Sequence, residues 1–236
     1  ALEPLFRAAE PAFRDWLASL ADHAEDLARL NGPPPVPRWT QDWFPRLDGA
    51  TAYAMLRRRR PARVVEVGSG HSTRFLARAA VDGGLSTAIT AIDPAPRADI
   101  ASLPITLIRR PLQQAGLEAF AALRAGDLLL IDSSHILMPG SDVDLLFAEV
   151  LPRLPAGVAV QVHDIFLPDG YPADWAWRGY NEQQGLVGWL AGGRARLLFS
   201  SHYAVTRLAQ AVADSAVGTL PLGKGAHETA LWFELT

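Results

Sequence analysis

Cysteine is absent from the chain, which excludes a disulfide framework, a thiolate metal site and a cysteine nucleophile. Lysine is nearly absent too: Lys224 is the only one, so almost all the positive charge is arginine. The formal net charge is −3 and no basic face is evident, which argues against nucleic acid as a partner. No apolar run reaches the roughly 20 residues that a membrane-spanning helix requires, so no membrane partner is expected. The first residues carry no signal-peptide pattern, and a cytoplasmic setting is expected. What remains is a chain of 236 residues, 49% hydrophobic, suited to one α/β domain with a substantial core.

The most informative stretch runs from Arg63 to Ala80. Val64, Val65 and Val67 form a β-branched run that contains one carboxylate, Glu66. A Gly68-Ser69-Gly70 turn follows, and then Ser72 or Thr73 is placed to cap a helix whose apolar positions recur at helical spacing. Strand, glycine turn and helix start form a ligand-binding unit. Glycine lets a ligand approach the backbone, and the free N–H groups of a first helical turn favour an anion. The dinucleotide fingerprint G-x-G-x-x-G fails at its third member, where Thr73 stands.

Strand-like runs alternate with helical ones on either side of this unit. Ser86 to Asp93, Ile105 to Ile108, Leu128 to Ile131 and Gly157 to Val162 read as strands separated by helices. The alternation predicts an α/β, doubly wound, mostly parallel sheet of about seven strands, completed by Ala195 to Ser200 and Thr229 to Leu235. Residues 1–40 read as a helical extension followed by a proline-rich connector, and 41–236 as a single domain. The apolar stripe of the extension is expected to pack on the domain, to form a homo-oligomer contact or to cover the site. Arg57 to Arg60 are expected as a solvated helix C-terminus.

Ligands of such sheets sit beyond the carboxyl ends of the strands, where this chain places Asp93, Asp132-Ser133-Ser134-His135 and His163-Asp164. Asp93 is suited to accept the hydroxyls of a ribose. Between Pro168 and Gly185 an aromatic-rich segment with Tyr171, Trp175, Trp177 and Tyr180 is expected to hang over the site, as a pocket wall or as an anchor. His202 and Tyr203 are further candidates to reach that region.

The Glu66-x-Gly68-x-Gly70 pattern resembles motif I of the class I S-adenosylmethionine-dependent methyltransferases. The resemblance extends through AIDP, DLLLIDSSH and VHDIFLP, and is closest in layout to the divalent-metal-dependent small-molecule O-methyltransferases. It implies a last strand inserted antiparallel. It also implies S-adenosyl-L-methionine bound by Glu66, Gly68, Ser69, Gly70, Ser72, Asp93 and Asp132, with Ser72 standing where many members have a third glycine. Asp132, His163 and Asp164 would be metal ligands and His135 the general base. His163 stands near where the family has a carboxylate. An imidazole there turns the preference from Mg2+ toward a softer cation or none.

The implied acceptor is a hydroxyl of a small molecule. Such a hydroxyl is a poor nucleophile at neutral pH and needs a metal or a base. Two other readings fit the layered sheet: a nicotinamide-dependent oxidoreductase and a non-catalytic cofactor-binding or assembly protein. The first is disfavoured by the failed fingerprint and by the lack of a Tyr-x-x-x-Lys pair, since Leu220 stands four before Lys224.

Overall fold

Short aliphatic runs become the strands, and their register decides where the functional residues fall. The structure is a computed structural model that describes residues 2–236. The strands are β1 (Arg63–Val67), β2 (Ala88–Ile92), β3 (Thr106–Ile108), β4 (Leu128–Ile131), β5 (Ala159–Val162), β6 (Ala195–Ser200) and β7 (Leu231–Leu235). They form a 7-stranded sheet in the order β3-β2-β1-β4-β5-β7-β6. β1 to β5 are parallel, and β7 runs antiparallel to both β5 and β6, as expected. β4 and β5 are buried at every position, which explains their uninterrupted apolar character.

The parallel strands end in line. Val67 pairs with Ile92 and Ile131, and Ile131 pairs with Val162. The residues that follow them, Gly68, Asp93, Asp132 and His163, therefore stand in one row. Strand order reverses between β1 and β4, and a crevice opens at such a switch point.

The helices are α1 (Glu3–Ala8), α2 (Glu10–Ser19), α3 (Ala24–Ala28), α4 (Arg46–Arg59), α5 (His71–Asp82), α6 (Leu112–Ala115), α7 (Glu118–Ala121), α8 (Asp142–Leu145), α9 (Glu182–Ala191), α10 (Ser201–Arg207) and α11 (Ala209–Asp214). Pro11 lies at the start of α2, where a missing N–H costs nothing, so the predicted first helix is divided there. Its stripe packs on the domain: Phe6 and Phe13 are wholly buried against Phe199 of β6 and Tyr203 of α10. Burial of each such ring stabilises the domain by about 1.5–3 kcal/mol. Among the described residues no helix is long and apolar enough to cross a membrane.

One expectation is corrected in part: Arg58, which meets Asp15, and Arg60 are exposed as expected, whereas Arg57 and Arg59 are half-buried and pair with Asp26 and Glu234. The connection from β6 to β7 carries two helices not singled out in the sequence, α10 and α11, whose small and polar residues hide their periodicity.

Gly68 makes the register possible. Its φ is +81°, and a Cβ there would lie 1.8 Å from the Asp132 carbonyl oxygen. Gly84 also has positive φ, +55°, but its missing Cβ points into open space. Gly68→Ala is expected to destabilise the protein by at least ~3 kcal/mol in urea denaturation, and Gly84→Ala by only about 1 kcal/mol. Equal effects would show that the contact with β4 is not what demands glycine.

Candidate active site

The glycine turn is built on hydrogen bonds to three strands. Gly68 N donates to Ile92 O at 3.0 Å, and Asp132 N donates to Val67 O at 2.8 Å. Neither Ser72 nor Thr73 is the N-cap of α5. Gly70 holds that position, and its N–H donates to Thr73 Oγ1 at 2.9 Å. Thr73 Oγ1 in turn donates to Glu66 at 2.6 Å. Glu66 and Ser72 are both buried. The carboxylate expected to meet the cofactor thus braces the turn from beneath.

Above the turn, Ser69 donates to Asp93 Oδ2 from its N–H at 2.7 Å and from its hydroxyl at 2.9 Å. Ala95 N donates to Asp93 Oδ1 at 2.7 Å. These bonds set the Asp93 carboxylate at the wall of a cleft of about 310 Å³, lined also by Gly68, Ser69, Arg97, Gln113 and Asp132. Gly70, Glu66 and Ser72 are not part of that lining. Arg97 and Gln113 were not singled out in the sequence. Their signal is position: each follows a strand end by a few residues. Trp43, 54% exposed, lies under the Arg97 guanidinium at 4.5 Å beside the cleft.

The second feature is a cluster of acids and histidines at the ends of β4 and β5. Ligating atoms of Asp132, His135 and Asp164 all lie within 4.8 Å of one another. His135 Nε2 is 3.3 Å from Asp132 Oδ1 and 3.5 Å from Asp164 Oδ2. Its Nδ1 is 2.9 Å from Glu182 Oε2, a carboxylate at the start of α9 with no accessible surface. His163 Nδ1 is 3.3 Å from Asp164 and 3.7 Å from Asp132, while its Nε2 is 3.0 Å from Asp48 in α4. His135 and Asp164 have φ of 61° and 57°. Two non-glycine residues in the left-handed region at one place are typical of a functional site.

All four residues expected at these strand ends are therefore together. Both nitrogens of His135, the residue expected to act as base, face carboxylates. Asp48 and Glu182 were missed. They lie 115 and 47 positions from their histidine partners, and nothing local marks an acid in an apolar helix as a partner.

Tyr180 of the aromatic segment lies against His135 with ring centroids 4.5 Å apart, so this segment does reach the cluster. Trp175 packs on Phe166 and Tyr180, which anchors it. His202 and Tyr203 do not reach the cluster. His202 bonds Asp169 at 2.7 Å, and the Tyr203 hydroxyl donates to Glu10 at 2.8 Å.

Burial opposes positive charge on both histidines, but the carboxylates outweigh it. Asp132, Glu182 and Asp164 hold the His135 pKa well above the ordinary value, and Asp164, Asp132 and Asp48 do the same for His163. Burial raises Glu182. It also pushes Glu66 up from 4.5 to about 7, against the hydrogen bonds from Ser72 and Thr73.

The folded protein keeps a proton on Glu66 that the unfolded chain has lost between about pH 4.5 and 7. That contribution is present in full below the lower value and is lost as pH rises through the upper one. Glu66→Gln is expected to flatten the corresponding fall in stability, on the order of 3 kcal/mol, in thermal melts between pH 5 and 8. An unchanged pH dependence would place the proton elsewhere.

A family model described as a methyltransferase domain matches residues 65–165, from β1 to just past Asp164. Among curated proteins none matches. A putative O-methyltransferase from Klebsiella pneumoniae superposes with a TM-score of 0.51 at 16% identity, over 92% of this chain and 90% of that one. The S-adenosylhomocysteine-bound methyltransferase PaMTH1 from Podospora anserina gives 0.48 at 18% identity, over 92% and 88%. The O-methyltransferase TomG from Streptomyces achromogenes, solved with S-adenosylmethionine, gives 0.48 at 16%, over 92% and 89%. At such identities the likeness to solved structures is one of fold. The matched residues run through the strands that build the cleft, β1 to β5, and include Asp93, Asp132, His135, His163 and Asp164.

Proposed function

We propose that the protein methylates a hydroxyl of a small molecule where the cleft meets the Asp132–His135–Asp164 cluster. One observation carries the reading: Asp132 is both a wall of the cleft and a member of the cluster. A methyl donor in the cleft and an acceptor at the cluster are thereby adjacent. Asp93 would accept the ribose hydroxyls of S-adenosylmethionine, with Gly68 and Ser69 beside it in the wall of the cleft.

The cofactor supplies a methyl group on a sulfonium, so the leaving group needs no further activation. The chain's own work is to position the acceptor oxygen in line and to remove its proton. That need favours oxygen as the acceptor atom, because the cluster is what proton removal requires. Asp132, His135 and Asp164 would hold a divalent cation, whose contribution is to lower the acceptor's pKa. Tyr180, against His135, forms one side of the acceptor's place. A second reading has a specific observation behind it. Glu182 backs His135 Nδ1 as a carboxylate backs a catalytic histidine, which suits His135 as a general base acting without metal.

Calorimetry is expected to show S-adenosylhomocysteine binding and no NADP binding. Asp93→Ala is expected to weaken the former by about 1–3 kcal/mol. With an acceptor in hand, a chelator is expected to abolish turnover and an added divalent cation to restore it. Full turnover in excess chelator, lost in His135→Gln, would replace the metal reading by the base reading. Tight NADP binding would overturn both.

A further inference from the structure

The first turns of α5 gather basic groups that no acid answers. Arg74 is 2% exposed, yet its Nε and Nη2 donate only to a carbonyl, Asp99 O, at 3.0 and 2.8 Å. The Asp99 carboxylate itself accepts from Ala101 N at 3.2 Å. A guanidinium stays charged in a protein, so one buried this far without a paired carboxylate leaves its charge uncompensated. One turn earlier on the same face stands His71, 9% exposed, whose buried Nδ1 has no hydrogen-bond partner. The proline-rich connector crosses this face, where Pro35, Val36 and Pro37 share a small groove with Arg74. Arg38 follows them, and its buried Nε is also without a partner. Burial, then the charges of Arg74 and Arg38, lowers the His71 pKa to about 4, and burial and Arg38 lower that of Arg74. None of the three residues lines the cleft beside Asp93.

We infer that Arg38, His71 and Arg74 form a site for a small oxyanion, a free phosphate or the phosphoryl group of a larger ligand, outside the cofactor cleft. A guanidinium can only donate hydrogen bonds, and an oxyanion only accepts them, so the two vacancies of charge and of hydrogen bonding are met by one ligand. An anion beside His71 favours the protonated ring, which turns the unpartnered Nδ1 into a third donor. Its burial then changes from a cost to a gain, because a charge-assisted bond is stronger away from water. The inference stands apart from the methyl-transfer reading, since it uses neither the cleft nor the acid–histidine cluster. An anion held here would tie the connector to the start of α5, directly after Gly70.

Inorganic phosphate is the probe for a free ion and glycerol 3-phosphate for a phosphoryl group, each titrated by calorimetry against a chloride background of equal ionic strength. Saturable binding of at least one is expected, weakened about 10–100-fold in Arg38→Gln and in His71→Gln. Imidazole NMR of the wild-type protein locates the anion: a histidine titrating near pH 4 should move to about pH 6 or above when the site is filled. Saturating S-adenosylhomocysteine should leave phosphate binding unchanged. Failure of both probes to bind overturns the inference, as does binding that both variants leave intact. Phosphate that binds without moving a histidine is an adventitious ion only, and phosphate displaced by S-adenosylhomocysteine occupies the cofactor's place; either result overturns it too. The wild-type titration needs no variant, so a substitution that fails to fold does not spare the inference.

Discussion

The contact between Gly68 and the carbonyl of Asp132 is the constraint on which the site depends. β1 and β4 are neighbours in the sheet but distant in sequence, and their ends pass too closely for any side chain between them. That approach lines up the carboxyl ends of β2, β1, β4 and β5, and so sets the cleft beside the acid–histidine cluster. Glycine at this position therefore serves the packing of protein on protein before it serves a ligand.

Most of the architecture is legible in the sequence because parallel strands buried on both faces leave an unmistakable apolar run, as in LLLI and AVQV. The E-x-G-x-G turn and the acids at strand ends are legible for the same reason: a strand end is easily found, and ligands gather there. The helices between β6 and β7 were not legible, since α10 and α11 are short and mix small with polar residues.

The site was legible only in its inner part. Asp93, Asp132, His135, His163 and Asp164 sit next to recognisable strands. Asp48 and Glu182 sit in helices, and their function is defined by partners that only the folded chain brings near. Glu66 illustrates the converse. Its place in a motif points to the cofactor, whereas the structure spends its carboxylate on Thr73 and the start of α5. A motif records which residue types occur together, while the geometry decides which of them face the ligand.

The two amide groups that anchor Asp48, Thr229 and Ala230 N–H, lie at the entry to β7. β7 is the last strand in the chain, yet it is inserted between β5 and β6. The orientation of His163 thus depends on residues made about 65 positions after the strand that carries it, an order visible also in the Thr229–Asp164 contact. During synthesis the glycine turn and the cleft can take shape while Asp48, the partner of this histidine, still lacks the two amide groups that fix its carboxylate. The complete cluster is in this sense a readout of completed folding: the chain gains its full set of oriented histidines only when its last strand has been threaded into the sheet.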